Sequence, residues 1–334
     1  MRDRLTALAD WPLPVNIGTG DSSARKHRFH TKPLLLHTAL TLLSAFPLPV
    51  LHALGTSLGW TLWLIPNRRK RVARVNLTLC FPRLNKAARR RLLRRTLVEF
   101  AKSVTELALL WTGSAAKIGR LVKQVIGEQE LRDALAQDKG VILAIPHLGA
   151  WEFVGLYCGM RYNFAALYRR PRVAELDALM RSVRERLGSR LVPANIGGIR
   201  TLHRVLHRGG VVGILPDQVP NEDHNVVYAD FFGISAKTMV LLSRLVQRTG
   251  APVVFACAER LPFGQGYRLR FNRGPSTIEC ADLPTSVAAL NGEIERHVRQ
   301  APAQYQWCYK RFRQRPPGEV SFYHNSPGTA ARHA

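Results

Sequence analysis

The chain has 334 residues, 46% of them hydrophobic, which is enough for one large or two ordinary domains and excludes an intrinsically disordered protein. Its formal net charge of +26 implies an anionic partner or surface, because such an imbalance repels itself in a compact fold. Nucleic acid, anionic lipid and an acidic carrier protein all qualify. The five cysteines are widely spaced and form no Cys-x-x-Cys pair, so they suggest neither a disulfide framework nor a zinc site. We expect neither a metal nor a cofactor.

The first third of the chain is organised around one apolar segment. Residues 1–32 are polar, lack a signal-peptide pattern and are expected to form a mobile tail. Residues 33–66 are strongly hydrophobic, but Pro47 and Pro49 divide them into halves shorter than the roughly 20 residues that a straight span needs. We expect a membrane-embedded segment without full crossing. A kinked span and a buried helix pair in a soluble domain are the alternatives.

Residues 67–139 are predicted to form a basic, amphipathic helical segment. Arginines are dense between Arg68 and Arg95 and alternate with leucine and valine, a pattern typical of helices on anionic membranes. Upstream, Gly55-x-Ser57-x-Gly59 matches a hydrolase nucleophile motif. Because that motif requires a strand before the serine, and this stretch reads as continuous helix, we predict instead that the two glycines allow close helix packing.

Residues 140–315 alternate between strand and helix patterns and predict an α/β unit with a central mixed sheet flanked by helices. The strands are predicted at 141–145, 164–168, 191–193, 211–215, 253–259 and 267–271. The helices are predicted at 151–159, 174–187, 199–207, 235–249 and 285–300. Residues 316–334 are expected to be a loose tail.

His147 follows the apolar strand 141–145 and precedes Glu152 by five residues. An imidazole at the carboxyl end of a strand, oriented by a carboxylate on the next helix, is suited to take a proton from a hydroxyl near neutral pH. The spacing alone is weak evidence, since eleven histidines in this chain produce it about once by chance.

The sequence around His147 resembles that of the bacterial lipid A biosynthesis (late lauroyl/myristoyl) acyltransferases, a family within the lysophospholipid acyltransferase-like superfamily. Nine ordered blocks between about Leu34 and Pro316 carry the resemblance. They are Asn76-Leu77 with Cys80-Phe81-Pro82, Glu106, His147 to Glu152, Tyr168-Arg169, Gly197-Gly198 with Arg200, Gly213 to Gln218, Phe231-Phe232-Gly233, Gly250 to Val253, and Gln304 to Trp307 with Lys310-Arg311-Phe312. The resemblance implies a glycerolipid-acyltransferase-like fold with an N-terminal hydrophobic, membrane-associated helical segment.

Under this resemblance the catalytic residues are expected to be His147 as general base, Glu152 as its orienting acid and Arg169 as the cation beside the oxyanion. The alternative interpretation of Arg169 is an ordinary surface arginine without a catalytic role. The substrate-binding candidates are Trp151, Tyr168, Asp217, Gln218, Phe231 and Phe232. Asp217 and Gln218 could equally well stabilise a turn. Phe231 and Phe232 could instead be part of the hydrophobic core.

Two positions of the motif bear on the resemblance. Ala150 stands where many family members have asparagine, so a hydrogen bond inside the turn is in doubt. Glu152, where glycerolipid acyltransferases generally have aspartate, points to the lipid A branch or to related glycolipid acyltransferases.

The expected function is transfer of a fatty acyl chain from acyl carrier protein to a hydroxyl of an anionic glycolipid such as a lipid A precursor, without an acyl-enzyme. The expected location is a bacterial inner membrane, with the catalytic part facing the cytoplasm. An acyltransferase for another glycolipid or lysophospholipid using acyl-CoA is the alternative. A nucleic-acid-binding or non-catalytic membrane protein is the remote one, because the basic stretch holds only Phe81 for base stacking.

Overall fold

The computed structural model of the chain describes residues 38, 40–171, 173–220 and 225–323. The expected tail at 1–32 and the first residues of the apolar segment lie outside these ranges. The helices are α1 Leu48–Leu64, α2 Arg68–Cys80, α3 Lys86–Thr105, α4 Leu107–Thr112, α5 Ala115–Arg120, α6 Glu128–Leu135, α7 Trp151–Gly159, α8 Ala174–Glu185, α9 Ile196–His207, α10 Leu241–Thr249 and α11 Leu283–Gln300. The strands are β1 Val122–Ile126, β2 Val141–Ala144, β3 Phe164–Tyr168, β4 Arg190–Pro193, β5 Val211–Ile214, β6 Val226–Phe231, β7 Ile234–Met239, β8 Val253–Arg260 and β9 Tyr267–Arg273.

Seven strands form one mixed sheet in the order β1-β9-β8-β2-β5-β3-β4. All neighbours in this sheet run parallel except β8 and β9, which are antiparallel. The central strands β2 and β5 are buried along their whole length, since hydrophobic clusters cover both faces of the sheet. The prediction of an α/β fold with a central mixed sheet is therefore confirmed.

The predicted helix at 235–249 is wrong over its first part. Residues Ile234–Met239 form β7, which pairs antiparallel with β6, and the helix begins at Leu241. The two residues between the strands, Phe232 and Gly233, have φ of 57° and 71°, the left-handed backbone that a two-residue hairpin turn requires. This hairpin is a separate two-stranded sheet.

The apolar helix α1 packs against α3, and the predicted role of the two glycines is confirmed. A Cβ on Gly55 would lie 2.7 Å from the Cα of Lys102, and one on Gly59 would lie 2.4 Å from the Cα of Val98. Within the described residues, no single helix is long and apolar enough to cross a bilayer. The pair α1 and α2 meets the length and composition requirements together, but its helices meet at 81°.

Two boundaries differ from the expected segments. The strand β1 lies in the segment 67–139 and pairs with β9, so the sheet begins before residue 140. Near the other end, the hydroxyl of Tyr323 donates to Oδ1 of Asn76 at 2.5 Å. The expected loose tail is therefore attached to α2 at this residue, and residues 324–334 lie outside the described ranges.

Candidate active site

Asp217 holds His147 at the carboxyl edge of the sheet. Because β2 and β5 are parallel neighbours, the residues that follow them emerge side by side, although His147 and Asp217 are 70 positions apart in sequence. The backbone N–H of His147 donates to Oδ2 of Asp217 at 2.8 Å. The Nδ1 atom of the ring lies 2.7 Å from Oδ1 of the same carboxylate.

These contacts assign the tautomer of the imidazole. An ionised carboxylate only accepts hydrogen bonds, so Nδ1 carries the proton that it donates to Asp217. The other ring nitrogen, Nε2, is then an acceptor, and the side-chain amide of Gln218 donates to it at 2.9 Å. The neutral ring therefore presents a basic Nε2, which is the form that a general base requires.

The carboxylate of Asp217 stays ionised in this position. Burial raises its pKa, but the electrostatic interaction with the adjacent imidazole of His147 and the hydrogen bonds that His147 donates outweigh burial, and the pKa lies below its ordinary value. Asp217 is only 2% exposed and lies behind the imidazole. It is therefore a partner of His147, whereas the sequence suggested a contact with substrate or a turn-stabilising role.

The turn after His147 is held tightly to the strand β8. Gly149 has a φ of 62°, and a Cβ there would lie 2.0 Å from the carbonyl oxygen of Ala258, so only glycine fits. The N–H of Ala150 donates to that same carbonyl at 2.8 Å. The backbone of Ala150 is thus bonded even though the residue lacks the side-chain amide common at this place in the resembled family.

The expected contact between Glu152 and the His147 ring is not what the structure shows. The carboxylate of Glu152 accepts two hydrogen bonds from the guanidinium of Arg184, one of them 3.0 Å from Nε. Glu152 stands on the first turn of α7, and Arg184 near the end of α8 reaches it across the cavity wall. The ring of Trp151 lies 4.9 Å from the imidazole of His147 and 5.7 Å from the guanidinium carbon of Arg184, so it contacts both groups.

His147 faces a cavity of about 680 Å³ whose wall is mainly apolar. Of the predicted residues, the cavity wall contains His147, Trp151, Glu152, Tyr168, Arg169 and Gln218. Arg169 is exposed at the end of β3. A cavity of this size, lined by apolar groups with a few polar ones converging on one point, is typical of a small-molecule or lipid site.

Phe231 and Phe232 occupy the core, and their expected place on an acyl channel is not supported by their position. Their rings pack against each other at 4.9 Å between centroids. Phe232 also packs against Phe81 and Trp307, at 5.2 Å and 5.6 Å. The two rings therefore have the alternative role considered from the sequence, packing in the hydrophobic core, which is the ordinary role of paired aromatic residues.

Three residues that carry the site's geometry were given no role by the sequence. Arg184 pairs with Glu152, and Gln306 lies on the cavity wall, where its Oε1 is 3.4 Å from the amide nitrogen of Gln218. Arg260 donates to the carbonyl of Gly149 at 3.0 Å from beneath the turn. Gln306 belongs to one of the quoted blocks, so its position was marked. Arg184 and Arg260 stand in no quoted block and carried no comparable signal.

The buried carboxylate of Glu106 anchors Arg260. It accepts hydrogen bonds from Nε and Nη2 of Arg260 at 2.9 Å and 2.6 Å and from the hydroxyl of Tyr267 at 3.0 Å. Nε2 of His52, on α1, lies 3.0 Å from the same carboxylate. A chain of contacts therefore joins the apolar helix α1 to the turn that carries His147.

Comparison with known proteins places the chain among enzymes. The model of the family described as bacterial lipid A biosynthesis acyltransferase matches residues 21–314. Similar proteins from Escherichia coli K12 include the lipid A biosynthesis lauroyltransferase, 28% identical over 85% of this chain and 92% of the relative. The palmitoleoyltransferase is 30% identical over 83% of this chain and 89% of the relative. The myristoyltransferase is 27% identical over 82% of this chain and 83% of the relative. The chain thus belongs to the bacterial lipid A biosynthesis acyltransferase family and is an O-acyltransferase.

Proposed function

We propose that this enzyme moves a fatty acyl chain from the thioester of acyl carrier protein to a hydroxyl of a lipid A precursor, with His147 as general base. The observation that supports this most is the pair of His147 and Asp217 with the basic Nε2 turned toward the mainly apolar cavity. The names of the three relatives, a lauroyl-, a palmitoleoyl- and a myristoyltransferase, support a fatty acyl donor. The chain's charge of +26 favours an acidic carrier protein as the source.

In the proposed reaction the acceptor hydroxyl displaces Gln218 from Nε2 of His147. Its oxygen attacks the thioester carbonyl carbon while Nε2 takes the proton, and Asp217 stabilises the imidazolium that forms. The tetrahedral intermediate then breaks its C–S bond. The imidazolium returns the proton to the departing thiolate, so the products are an ester and a free thiol.

No acyl-enzyme is needed in this scheme, because the acceptor's own oxygen is the nucleophile. Ser189 stands on the cavity wall, but its hydroxyl donates to the carbonyl of Gly155 at 2.9 Å and is not directed at His147. Cys158 is a fully buried residue of α7, and burial raises the pKa of its thiol. Neither residue has the adjacent base that activates an enzyme nucleophile.

The oxyanion of the intermediate needs a cation or donor, and we assign this to Arg169. It is exposed on the cavity wall at the carboxyl end of β3, two strands away from β2 in the sheet order. Arg184 is the second candidate, since it is also on the wall, but its guanidinium already donates two hydrogen bonds to Glu152. Removing one such group costs about 3–4 kcal/mol of transition-state stabilisation.

The acyl chain is assigned to the apolar part of the cavity beside α7. Gly155, Leu156, Phe164 and Ala166 line this part. Gly155 leaves open space there, since a Cβ on it would meet only the ring of Phe164, at 3.9 Å. A hydrocarbon chain gains about 0.8 kcal/mol for each methylene that it buries in such a space.

We place the enzyme on an anionic membrane, as at the cytoplasmic face of a bacterial inner membrane. Large apolar side chains of α1 and the residue after it are exposed, among them Leu54, Leu58, Trp60, Leu64 and Ile65. Beside them, the guanidinium carbon of Arg94 lies 4.9 Å from the ring of Trp60, and Nζ of Lys70 lies 4.8 Å from Trp63. An apolar surface with cations at its border is suited to the interface between acyl chains and anionic head groups.

The proposal is tested by identifying the product. Purified enzyme receives a lipid A precursor in detergent with either acyl carrier protein or coenzyme A carrying the same acyl chain. We expect a precursor heavier by one ester-linked acyl group, formed faster from the carrier protein, and no acylated enzyme by intact-protein mass spectrometry. Ping-pong kinetics, or a mass shift of the enzyme that disappears when acceptor is added, would contradict the scheme.

A further inference from the structure

The cavity has a cationic end, formed by the facing sides of α9 and α10. Four residues of α10 line it, Leu241, Arg244, Leu245 and Arg248. Their spacing places them on one face of the helix, which covers about 10 Å of the cavity wall. From α9 it takes Ile199 and His203, again one face of a helix. The apolar members and the three basic side chains His203, Arg244 and Arg248 line the same stretch of wall, and Arg248 is near enough to His203 for its charge to act on that ring.

The positive charge at this end is not balanced by carboxylates from the described residues. Arg248 makes no ion pair with any of them, and Arg244 donates to the neutral side-chain oxygen of Asn225. By contrast, Arg184 on the same cavity is neutralised by Glu152. Burial, together with the charges of Arg248 and His207, lowers the pKa of His203. Like charges thus meet here, and a bound anion would relieve their repulsion.

We propose that His203, Arg244 and Arg248 form the binding site for a phosphate monoester of the acceptor glycolipid. This inference rests on the proposed function, in which the acceptor enters the cavity that holds His147. Guanidinium groups match phosphate oxygens in geometry as well as in charge. Two arginines and a histidine able to take a proton match a monoester of about −2 better than a phosphodiester of −1. The charge favours the acceptor over the phosphodiester that joins the donor's thiol arm to its carrier protein.

The site would also orient the acceptor. With its phosphate held between α9 and α10, the glycolipid presents its hydroxyls within the same cavity that contains His147. A phosphate contact made equally in the ground state and the transition state lowers KM and leaves kcat nearly unchanged. Loss of the phosphate contact should therefore change mainly KM, whereas loss of the general base His147 should change mainly kcat.

Arg248→Gln is compared with the native enzyme on two acceptors, the phosphorylated precursor and the same precursor after enzymatic removal of its phosphate monoesters. With the phosphorylated acceptor we expect the variant to raise KM about tenfold or more, with kcat changed less than threefold. With the dephosphorylated acceptor the native and variant values should coincide. Arg248→Lys should recover part of the loss.

Arg204→Gln is the matched control, because Arg204 is an exposed arginine on α9 that does not line the cavity. An equal effect of Arg204→Gln would mean general electrostatic attraction and would overturn the proposal. So would an equal loss on both acceptors, or a loss confined to the KM of the acyl carrier protein, which would assign the cations to the donor.

A binding measurement separates this inference from the proposed reaction. The His147→Ala enzyme, with and without Arg248→Gln, is titrated with each acceptor in detergent micelles. Phosphate-dependent binding that Arg248→Gln weakens about tenfold supports the site even if no acyl transfer is ever observed. Failure of the native enzyme to transfer an acyl group, with this binding intact, would count against the proposed function alone.

Discussion

Asp217 and His147 are joined by two hydrogen bonds, at 2.7 Å from the ring Nδ1 and 2.8 Å from the backbone nitrogen. The carboxylate that follows His147 by five residues, Glu152, is bonded to Arg184. The orienting acid is therefore contributed by the loop that follows the neighbouring strand β5, and the nearby acid in the sequence, Glu152, has another partner.

Asp217→Asn should lower kcat by a factor of about 10³ to 10⁴ with little change in KM, because an amide can donate to Nδ1 and so favours the wrong tautomer. Initial rates of acyl transfer measure this. Asp133→Asn, a change of the same kind on the exposed face of α6, should leave the rate as it is. A fully active Asp217→Asn enzyme would rule out the orienting role.

Glu152→Gln should lower the rate, and it should do so through Arg184. A double-mutant cycle with Arg184→Gln is expected to give a coupling energy of about 1–3 kcal/mol in kcat/KM, because each side chain loses the same partner. Strictly additive effects would show that Glu152 acts independently of Arg184. They would reopen a direct action of Glu152 on His147.

Gly155→Leu should shift the enzyme toward shorter acyl chains. The added side chain would occupy the space beside Phe164, and overpacking of this kind costs about 1–3 kcal/mol. Competition between acyl carrier proteins loaded with chains of different length measures the preference. Gly155→Ala is the control, because its Cβ would make only ordinary contact, and it should keep the native preference. An unchanged preference in Gly155→Leu would place the acyl chain elsewhere.

Glu106→Gln should lower the free energy of unfolding by up to about 3–5 kcal/mol, since it leaves the buried Arg260 with only the more distant carboxylate of Glu99, at 3.7 Å, as counter-charge. Urea unfolding followed by circular dichroism gives this number. Asp133→Asn serves again as the exposed control, with an expected change near zero.

The loss of stability caused by Glu106→Gln should depend on pH. Burial raises the pKa of Glu106, but Arg260 and His52 lower it more, to about 2 from its ordinary 4.5. The stability that the carboxylate supplies is therefore complete above pH 4.5 and is lost as the pH falls toward 2. The gap between native and Glu106→Gln should narrow over this interval, and a constant gap would contradict the assignment.

The strands of the main sheet could be predicted where the sequence is continuously apolar, as at 141–145 and 211–215, because strands buried on both faces need such runs. β1 was missed since Val122–Ile126 carries Lys123 and Gln124 at the edge of the sheet, where polar residues are tolerated. The hairpin of β6 and β7 was missed for a related reason. Its second strand carries the polar residues Lys237 and Thr238 at buried positions, which breaks the apolar pattern expected of a buried strand, and its turn contains Phe232, an unusual residue at positive φ.

The position of His147 could be predicted from its own segment, but its partner could not. Sequence spacing favours the nearest carboxylate, whereas parallel β2 and β5 bring together residues 70 positions apart. Asp217 was named as a candidate because it follows the strand predicted at 211–215. Its pairing with His147 depends on the strand order, which the sequence alone did not supply.

The most direct test of the central claim is the initial rate at which the His147→Ala enzyme transfers a labelled acyl chain from acyl carrier protein to a lipid A precursor. His207→Ala, at an exposed histidine of α9, provides the matched control. If His147 is the base, its removal lowers kcat at least about 10³-fold while the control keeps the native rate. Transfer by His147→Ala at the native rate would contradict the account.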